Sequence, residues 1–255
     1  MNLCSEVAVI LAAGKGTRMS YTGPKVLAEL CGTPMIKWVI DAARKAGVSR
    51  VLVVVGHKKE EVARVLEGLG VDWVEQPRQL GTGDALRAAT TFLGDRAEDM
   101  PENIVVLPGD SPLVKPDTVK TLRKVHQETR SDATLLTAYL DDPKGYGRVV
   151  RNGQDRVTRI VEELDASEEE TGIKEVNSGI YCFRTGPLLE ALERLTPDNR
   201  KGEYYLTQVI EVLSGGMGKR VNTLIASDPS EVLGVNSQED LEKVSGIVAG
   251  GLGGM

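Results

Sequence analysis

Aromatic side chains make up only 4% of the 255 residues, with two Phe and two Trp. Aliphatic Val, Leu, Ile and Ala must therefore fill the interior, and a hydrophobic content of 41% suffices for one large core. Histidine is scarcer: His57 and His126 are too few for a histidine metal site. His57 ends an expected strand, and His126 falls on an expected helix as a surface residue. The three cysteines, Cys4, Cys31 and Cys182, are odd in number and fit no zinc-knuckle spacing, so they read as reduced, mostly buried thiols of a cytoplasmic protein. Apolar runs are all shorter than the roughly 18 residues that a membrane helix needs, so no membrane partner is expected. The N-terminus lacks the basic segment and cleavage site of a signal peptide. Excess positive charge is also missing: a net charge of −6 argues against nucleic acid as a partner.

What is present is a local positive pole. Residues 1–50 carry seven Lys or Arg against three Asp or Glu. On an acidic body this suits a small polyanion, although a solvated basic face would look the same in composition.

The first half alternates. Val7–Leu11, Val51–Val55 and Ile104–Leu107 are continuous apolar runs, as expected of strands buried on both faces. Between them, Val62, Val65, Leu66 and Leu69 follow helical spacing, Thr82 is placed to cap a helix through Phe92, and Pro116 to start another. Such alternation predicts an α/β fold, a Rossmann-like, mostly parallel sheet with helices on both faces. After about residue 130 the pattern becomes β-rich: Ala133–Leu140, Gly147–Arg151, Arg156–Val161, Val176–Phe183 and Val221–Ile225 read as strands. Glu168–Glu170 reads as a solvated loop. Leu188–Leu195, Leu206–Leu213 and Gln238–Val248 read as helices. A single domain is expected over 1–248, with a frayed Gly-rich tail over 249–255.

Four segments carry chemistry. Leu11-Ala12-Ala13-Gly14-Lys15-Gly16-Thr17-Arg18-Met19 directly follows the first strand, at the strand end where parallel α/β sheets bind ligands. Small residues and glycines let backbone N–H groups approach phosphate oxygens, while Lys15, Arg18 and, further on, Lys25 add charge. The spacing is neither a Walker A loop, since Gly16 follows Lys15, nor a GxGxxG fingerprint, since Met stands at 19. A tight turn with solvated charges is the alternative. Gln76 with Gln79-Leu80-Gly81-Thr82-Gly83 places amides, a hydroxyl and backbone groups at a helix start, suited to reading the edge of a base. Gly109-Asp110, after a buried strand, places a carboxylate where it can hold a hard cation or cap a turn. Gly147, Glu162 and Asn177 offer groups suited to sugar hydroxyls and an acetamido group, and each alone could equally be a surface turn.

In combination and order these segments resemble the sugar nucleotidyltransferases, which carry an LxxGxGTRM-type loop and a downstream Pro-Lys, here Pro24-Lys25. Within that family the chain is most similar to the uridyltransferase (pyrophosphorylase) domain of bacterial N-acetylglucosamine-1-phosphate uridyltransferases. The resemblance, over about residues 7–240, implies transfer of a uridylyl group from UTP to N-acetylglucosamine-1-phosphate. It implies catalytic roles for Lys15, Arg18 and Lys25, and nucleotide or sugar contacts from Leu11, Ala12, Ala13, Gly14, Lys25, Gln76, Gly81, Thr82, Gly109, Asp110, Gly147, Glu162, Asn177 and Asn236. It also implies a Mg²⁺ cofactor held by Asp110 and Asn236. Residues 1–130 would bind the nucleotide and 131–237 the sugar. Two positions depart from the family pattern: Asp84 stands where histidine is common, and Pro108 where tyrosine is. Gly202–Thr207 is similar to that subfamily's GEYYLT segment. Its bifunctional members carry a C-terminal acetyltransferase β-helix that this sequence stops before, so the chain is expected to be either monofunctional or a fragment, acetyl transfer is not implied, and a monomer is expected. Competing expectations are a uridylyl- or thymidylyltransferase for glucose-1-phosphate, a non-catalytic nucleotide-sugar-binding module, and, more distantly, a nicotinamide oxidoreductase.

Overall fold

The computed structural model describes residues 6–16, 19, 21–94 and 100–252. Arg18 and Thr17, of the glycine-rich loop, and Cys4 lie outside the described residues.

Strand β1 (Glu6–Ala12) is buried along nearly its whole length. The short strands β2 (Glu29–Leu30) and β3 (Thr33–Pro34) pair as a separate hairpin, and helix α1 (Met35–Lys45) follows at once. Then come β4 (Arg50–Val55), α2 (Lys59–Leu66), β5 (Asp72–Glu75), α3 (Thr82–Gly94), β6 (Asn103–Pro108) and α4 (Pro116–Thr129). The second half adds β7 (Ala133–Tyr139), β8 (Arg148–Arg151), β9 (Val157–Val161), α5 (Glu168–Thr171), β10 (Glu175–Arg184), α6 (Thr185–Glu193), α7 (Gln208–Glu211), β11 (Val221–Ile225) and α8 (Gln238–Leu252). Helix α1 and the β2–β3 hairpin lie outside the expected set.

One nine-stranded sheet runs β11-β7-β10-β6-β1-β4-β5, with β8 and β9 attached through β10. β6, β1, β4 and β5 are parallel, β10 is antiparallel to both neighbours, and β11 is parallel to β7. This is the α/β architecture that the alternation implies. Successive side chains of a strand point to opposite faces, and β1 divides accordingly. Ala8, Ile10 and Ala12 enter a core with Ile36, Val39 and Ile40 of α1, Val62 of α2 and Leu122 of α4. Val7 and Val9 enter a second core with Leu86 and Leu93 of α3, Leu188 of α6 and Ile210 of α7. A third, smaller cluster seats Val244 and Val248 of α8 against Leu30 and Met35.

Several expectations are corrected. His126 is not a surface residue but 2% exposed, because its ring bonds Thr134 and Asn103 across the α4–sheet interface. Cys31 is exposed at a positive-φ turn, whereas Cys182 is buried. Glu168–Glu170 is no loop: Ser167 and Glu170 form a capping box that starts α5. The helix after Leu206 is shorter as α-helix and continues as a π-helix over Val212–Gly216. α8 runs past the expected end at Val248 to Leu252.

Candidate active site

Parallel strands in register end together. Leu11 of β1 lies beside Pro108 of β6, Ala12 beside Val55 of β4, and Val55 beside Glu75 of β5. Three chain segments with expected chemistry therefore leave the sheet along one edge: the loop after Ala12, Gln76 after β5, and Gly109-Asp110 after β6. The antiparallel β10 reaches the same edge through a bulge between Asn177 and Tyr181, where Gly179 adopts φ +77° and lies against Pro108. Four steps along β10 there oppose two along β7, an irregularity that bends the strand and re-aims its side chains.

These segments enclose a cleft of about 510 Å³. Leu11, Ala12, Ala13, Gly14, Lys15 and Lys25 line it, as do Gln76, Gly81, Thr82, Asp110, Glu162 and Asn177. Gly109, Gly147 and Asn236 are not among the residues that line it. The Gly109 N–H donates to the Leu11 carbonyl at 2.9 Å, tying the loop after β6 to β1. The Gly147 carbonyl accepts from the Asn177 N–H at 2.9 Å.

Gly16 (φ +62°) lets the glycine-rich loop pass over Lys25, where a Cβ would stand 2.7 Å from that of Lys25. The Lys25 ammonium is paired with the Asp110 carboxylate and donates to Asn236 Oδ1 at 3.1 Å. The loops that carry Asp110 and Asn236 are themselves joined, Val235 N–H to the Asp110 carbonyl at 2.9 Å. Asp240, at the start of α8, accepts from the N–H groups of Asn236 and Ser237. Two hard oxygen donors thus converge on one positive point. That donor set suits Mg²⁺, which takes few protein oxygens and completes its shell with water and phosphate. Among the described residues no group of three or more His, Cys, Asp or Glu could hold a metal ion.

At the Gln76 turn, Gln76 Nε2 donates to the Gly81 carbonyl at 3.0 Å and to Asp84 Oδ2 at 2.7 Å. Thr82 is not a cap but the first residue of α3; its hydroxyl accepts from the Leu206 N–H at 3.0 Å. The segment 203–207 docks on this turn. Gly83 N–H donates to the Tyr204 carbonyl at 2.8 Å, and Tyr204 N–H to the Leu80 carbonyl at 2.7 Å.

On the remaining wall, Thr207 donates to Glu162 Oε1 at 2.9 Å. Burial pushes the Glu162 carboxyl above the usual carboxylate range, and the Thr207 hydroxyl opposes that rise. Asn177 Nδ2 donates to the Tyr181 hydroxyl at 2.7 Å, leaving Oδ1 buried with no donor among the described residues. A buried acceptor without a partner costs stability unless a ligand or water satisfies it. The Gln76–Asp84, Glu162–Thr207 and Lys25–Asp110 pairings had no signal in sequence spacing, since each joins separate elements.

The cleft lies at the strand ends of an α/β sheet, and the chain belongs to the MobA-like NTP transferase domain family, whose model matches residues 8–206. It is thus a nucleotidyltransferase by family, as the motifs imply. Among named relatives, the bifunctional protein GlmU of Acetivibrio thermocellus is 45% identical over 242 residues, covering 95% of this chain and 51% of that protein. GlmU of Clostridium perfringens (strain ATCC 13124) is 45% identical over 248 residues, covering 97% and 52%. GlmU of Carboxydothermus hydrogenoformans is 46% identical over 237 residues, covering 93% and 51%. The chain spans about half the length of the curated relatives it matches. No helix among the described residues is long and apolar enough to cross a membrane.

Proposed function

We propose that the chain transfers a uridylyl group from UTP to N-acetylglucosamine-1-phosphate, releasing pyrophosphate and forming UDP-N-acetylglucosamine. The observation that carries this reading is one cleft bordered by the Gln76–Gly81 turn, the Gly14–Lys15 loop, the Lys25–Asp110 pair and the orphaned Asn177 acceptor. Base, phosphates and sugar would each meet groups of the matching chemistry.

In this reading a phosphate oxygen of the sugar-1-phosphate attacks the α-phosphorus of UTP, and the bond to the pyrophosphate leaving group breaks. No side chain need act as a nucleophile, so positioning and charge stabilisation carry the rate. Lys15 and Arg18 neutralise the departing pyrophosphate, and Lys25 steadies the phosphates nearer the reacting centre. Gln76 and the Gly81 turn hold the base. Glu162 accepts from sugar hydroxyls, and Asn177 Oδ1 accepts from the acetamido N–H or a hydroxyl. Asp110 and Asn236 would hold Mg²⁺, which when bound neutralises charge on the phosphates.

The test is pyrophosphate release from UTP, N-acetylglucosamine-1-phosphate and Mg²⁺, with glucose-1-phosphate and dTTP in parallel and EDTA as control. EDTA-sensitive release that is fastest with UTP and the N-acetyl sugar supports the proposal. Preference for glucose-1-phosphate overturns the sugar assignment, and ligand binding without turnover of any pair overturns the enzymatic reading.

A further inference from the structure

Asp84 has no part in that chemistry. It lies in the first turn of α3, where the unpaired N–H groups of a helix start favour an acid. Helix electrostatics explain a carboxylate at that position but not its direction. Asp84 Oδ2 accepts from Gln76 Nε2 at 2.7 Å, and the Gly81 carbonyl accepts from the same nitrogen at 3.0 Å.

A carboxamide nitrogen has two hydrogens to give and no acceptor capacity. Both hydrogens of Gln76 are taken by oxygens that only accept, so turning the carboxamide over would set oxygen against oxygen on both contacts. Among the described residues Oε1 is left as the one uncommitted polar atom of the side chain. Gln76 is only 3% exposed yet lines the cleft. Gln79 Nε2 engages the Gln76 main-chain carbonyl at 3.1 Å rather than Oε1.

We propose that Asp84 is a positioning residue that sets the base preference of the cleft. By holding the Gln76 carboxamide in one orientation, it presents an acceptor to the base. An acceptor there pairs with the imide N–H of uracil or thymine and faces a lone pair in cytosine. The inference rests on the cleft being a nucleoside-triphosphate site in which Gln76 faces the base.

The experiment compares steady-state kinetics with UTP and CTP for the parent chain, Asp84→Ala and Asp84→Asn, with thermal melting of each. Hydrogen bonds to charged groups contribute about 1.5–3 kcal/mol, so Asp84→Ala should lower the UTP-to-CTP ratio of kcat/KM by roughly ten- to a hundredfold. That loss should come through the UTP KM, with kcat and the sugar-phosphate KM near the parent values. Asp84→Asn keeps an acceptor oxygen and should restore most of the ratio, which a purely structural role would not require. If Asp84→Ala does not fold, Asp84→Ser takes its place and should lower the ratio in the same direction. A fall in UTP and CTP by the same factor overturns the inference, as does an Asn variant no better than Ala. A parent chain selective for UTP whose selectivity survives Asp84→Ala removes this inference and leaves the proposed function standing. Absence of UTP turnover in the parent removes both.

Discussion

The Lys25 ammonium is seated on the Asp110 carboxylate, joining two side chains that lie 85 residues apart in the chain. Both are largely shielded, at 13% and 21% side-chain exposure. The amine therefore occupies the position where a cation would meet the Asp110 and Asn236 oxygens. Removing it leaves the Asp110 carboxylate without this counter-charge. Lys25→Ala should melt below the parent in buffer, and added Mg²⁺ should raise its melting temperature more than it raises the parent's, since ligand binding to the folded state stabilises it. Asp110→Ala should abolish the Mg²⁺-dependent rise and lower turnover by about 10²-fold or more. Equal Mg²⁺ shifts in the parent and in Lys25→Ala would mean that the lysine does not compete for the site.

Glu162 and Thr207 make a second pair whose consequences can be measured. Burial raises the Glu162 pKa and the Thr207 hydroxyl holds it down, so Thr207→Val should raise it further. If ionised Glu162 accepts from the sugar, the acidic limb of the pH profile for sugar-phosphate kcat/KM should move to higher pH in that variant. At neutral pH the same parameter should fall by roughly tenfold through loss of a bond to a charged group. The KM for UTP should not move. An unchanged profile would separate Glu162 from sugar binding.

Gly81 tests the docking of the 203–207 segment. Its φ is +114°, and a Cβ there would stand 2.5 Å from the Tyr204 carbonyl oxygen. Gly81→Ala should therefore cost about 2 kcal/mol or more, from backbone strain and the displaced segment, and should weaken UTP binding. Gly186, inside α6, has open space around its Cα and no positive φ. Gly186→Ala should be neutral or stabilise by roughly 0.5–1 kcal/mol. Urea denaturation of the two variants gives the comparison, and comparable midpoints would contradict the close approach at Gly81.

Much of this site is legible in the sequence because local rules and strand ends coincide. The apolar runs at Val7–Leu11, Val51–Val55 and Ile104–Leu107 fix a buried parallel sheet, and the motifs directly after them must leave it along one edge. Gly14, Lys15 and Asp110 follow from that geometry, whereas Gln76 and Gly81 leave the sheet after β5. What spacing does not carry is the pairing between elements. Nothing local marks Asp84 as the partner of Gln76, or Lys25 as the cation between Asp110 and Asn236. Nor does helical spacing show that Glu170 closes on Ser167 to start α5 while Glu168 and Glu169 stay in solvent. His126 misleads for a related reason. Its polar side chain suggests an outward face, but Asn103 and Thr134 supply hydrogen-bond partners beneath α4.

That burial makes His126 a source of acid sensitivity. Its ring is almost fully enclosed, and burial together with the nearby Arg184 charge lowers its pKa from 6.5 to about 4, while Asp132 opposes the shift. Nδ1 lies 2.9 Å from the Thr134 hydroxyl and Nε2 lies 3.2 Å from Asn103 Oδ1. Asn103 Oδ1 can only accept, so the neutral ring carries its proton on Nε2 and receives one from Thr134 at Nδ1. Between pH 6.5 and about 4 the unfolded chain binds a proton at this position that the folded chain does not. Stability from the neutral ring is therefore fully present above pH 6.5 and is lost as pH falls toward 4, by on the order of 3 kcal/mol. His126→Gln has nothing to titrate there. Its denaturation midpoint should start lower at pH 7 but fall less steeply between pH 6.5 and 4 than that of the parent. Parallel pH curves for the two proteins would place the acid sensitivity elsewhere.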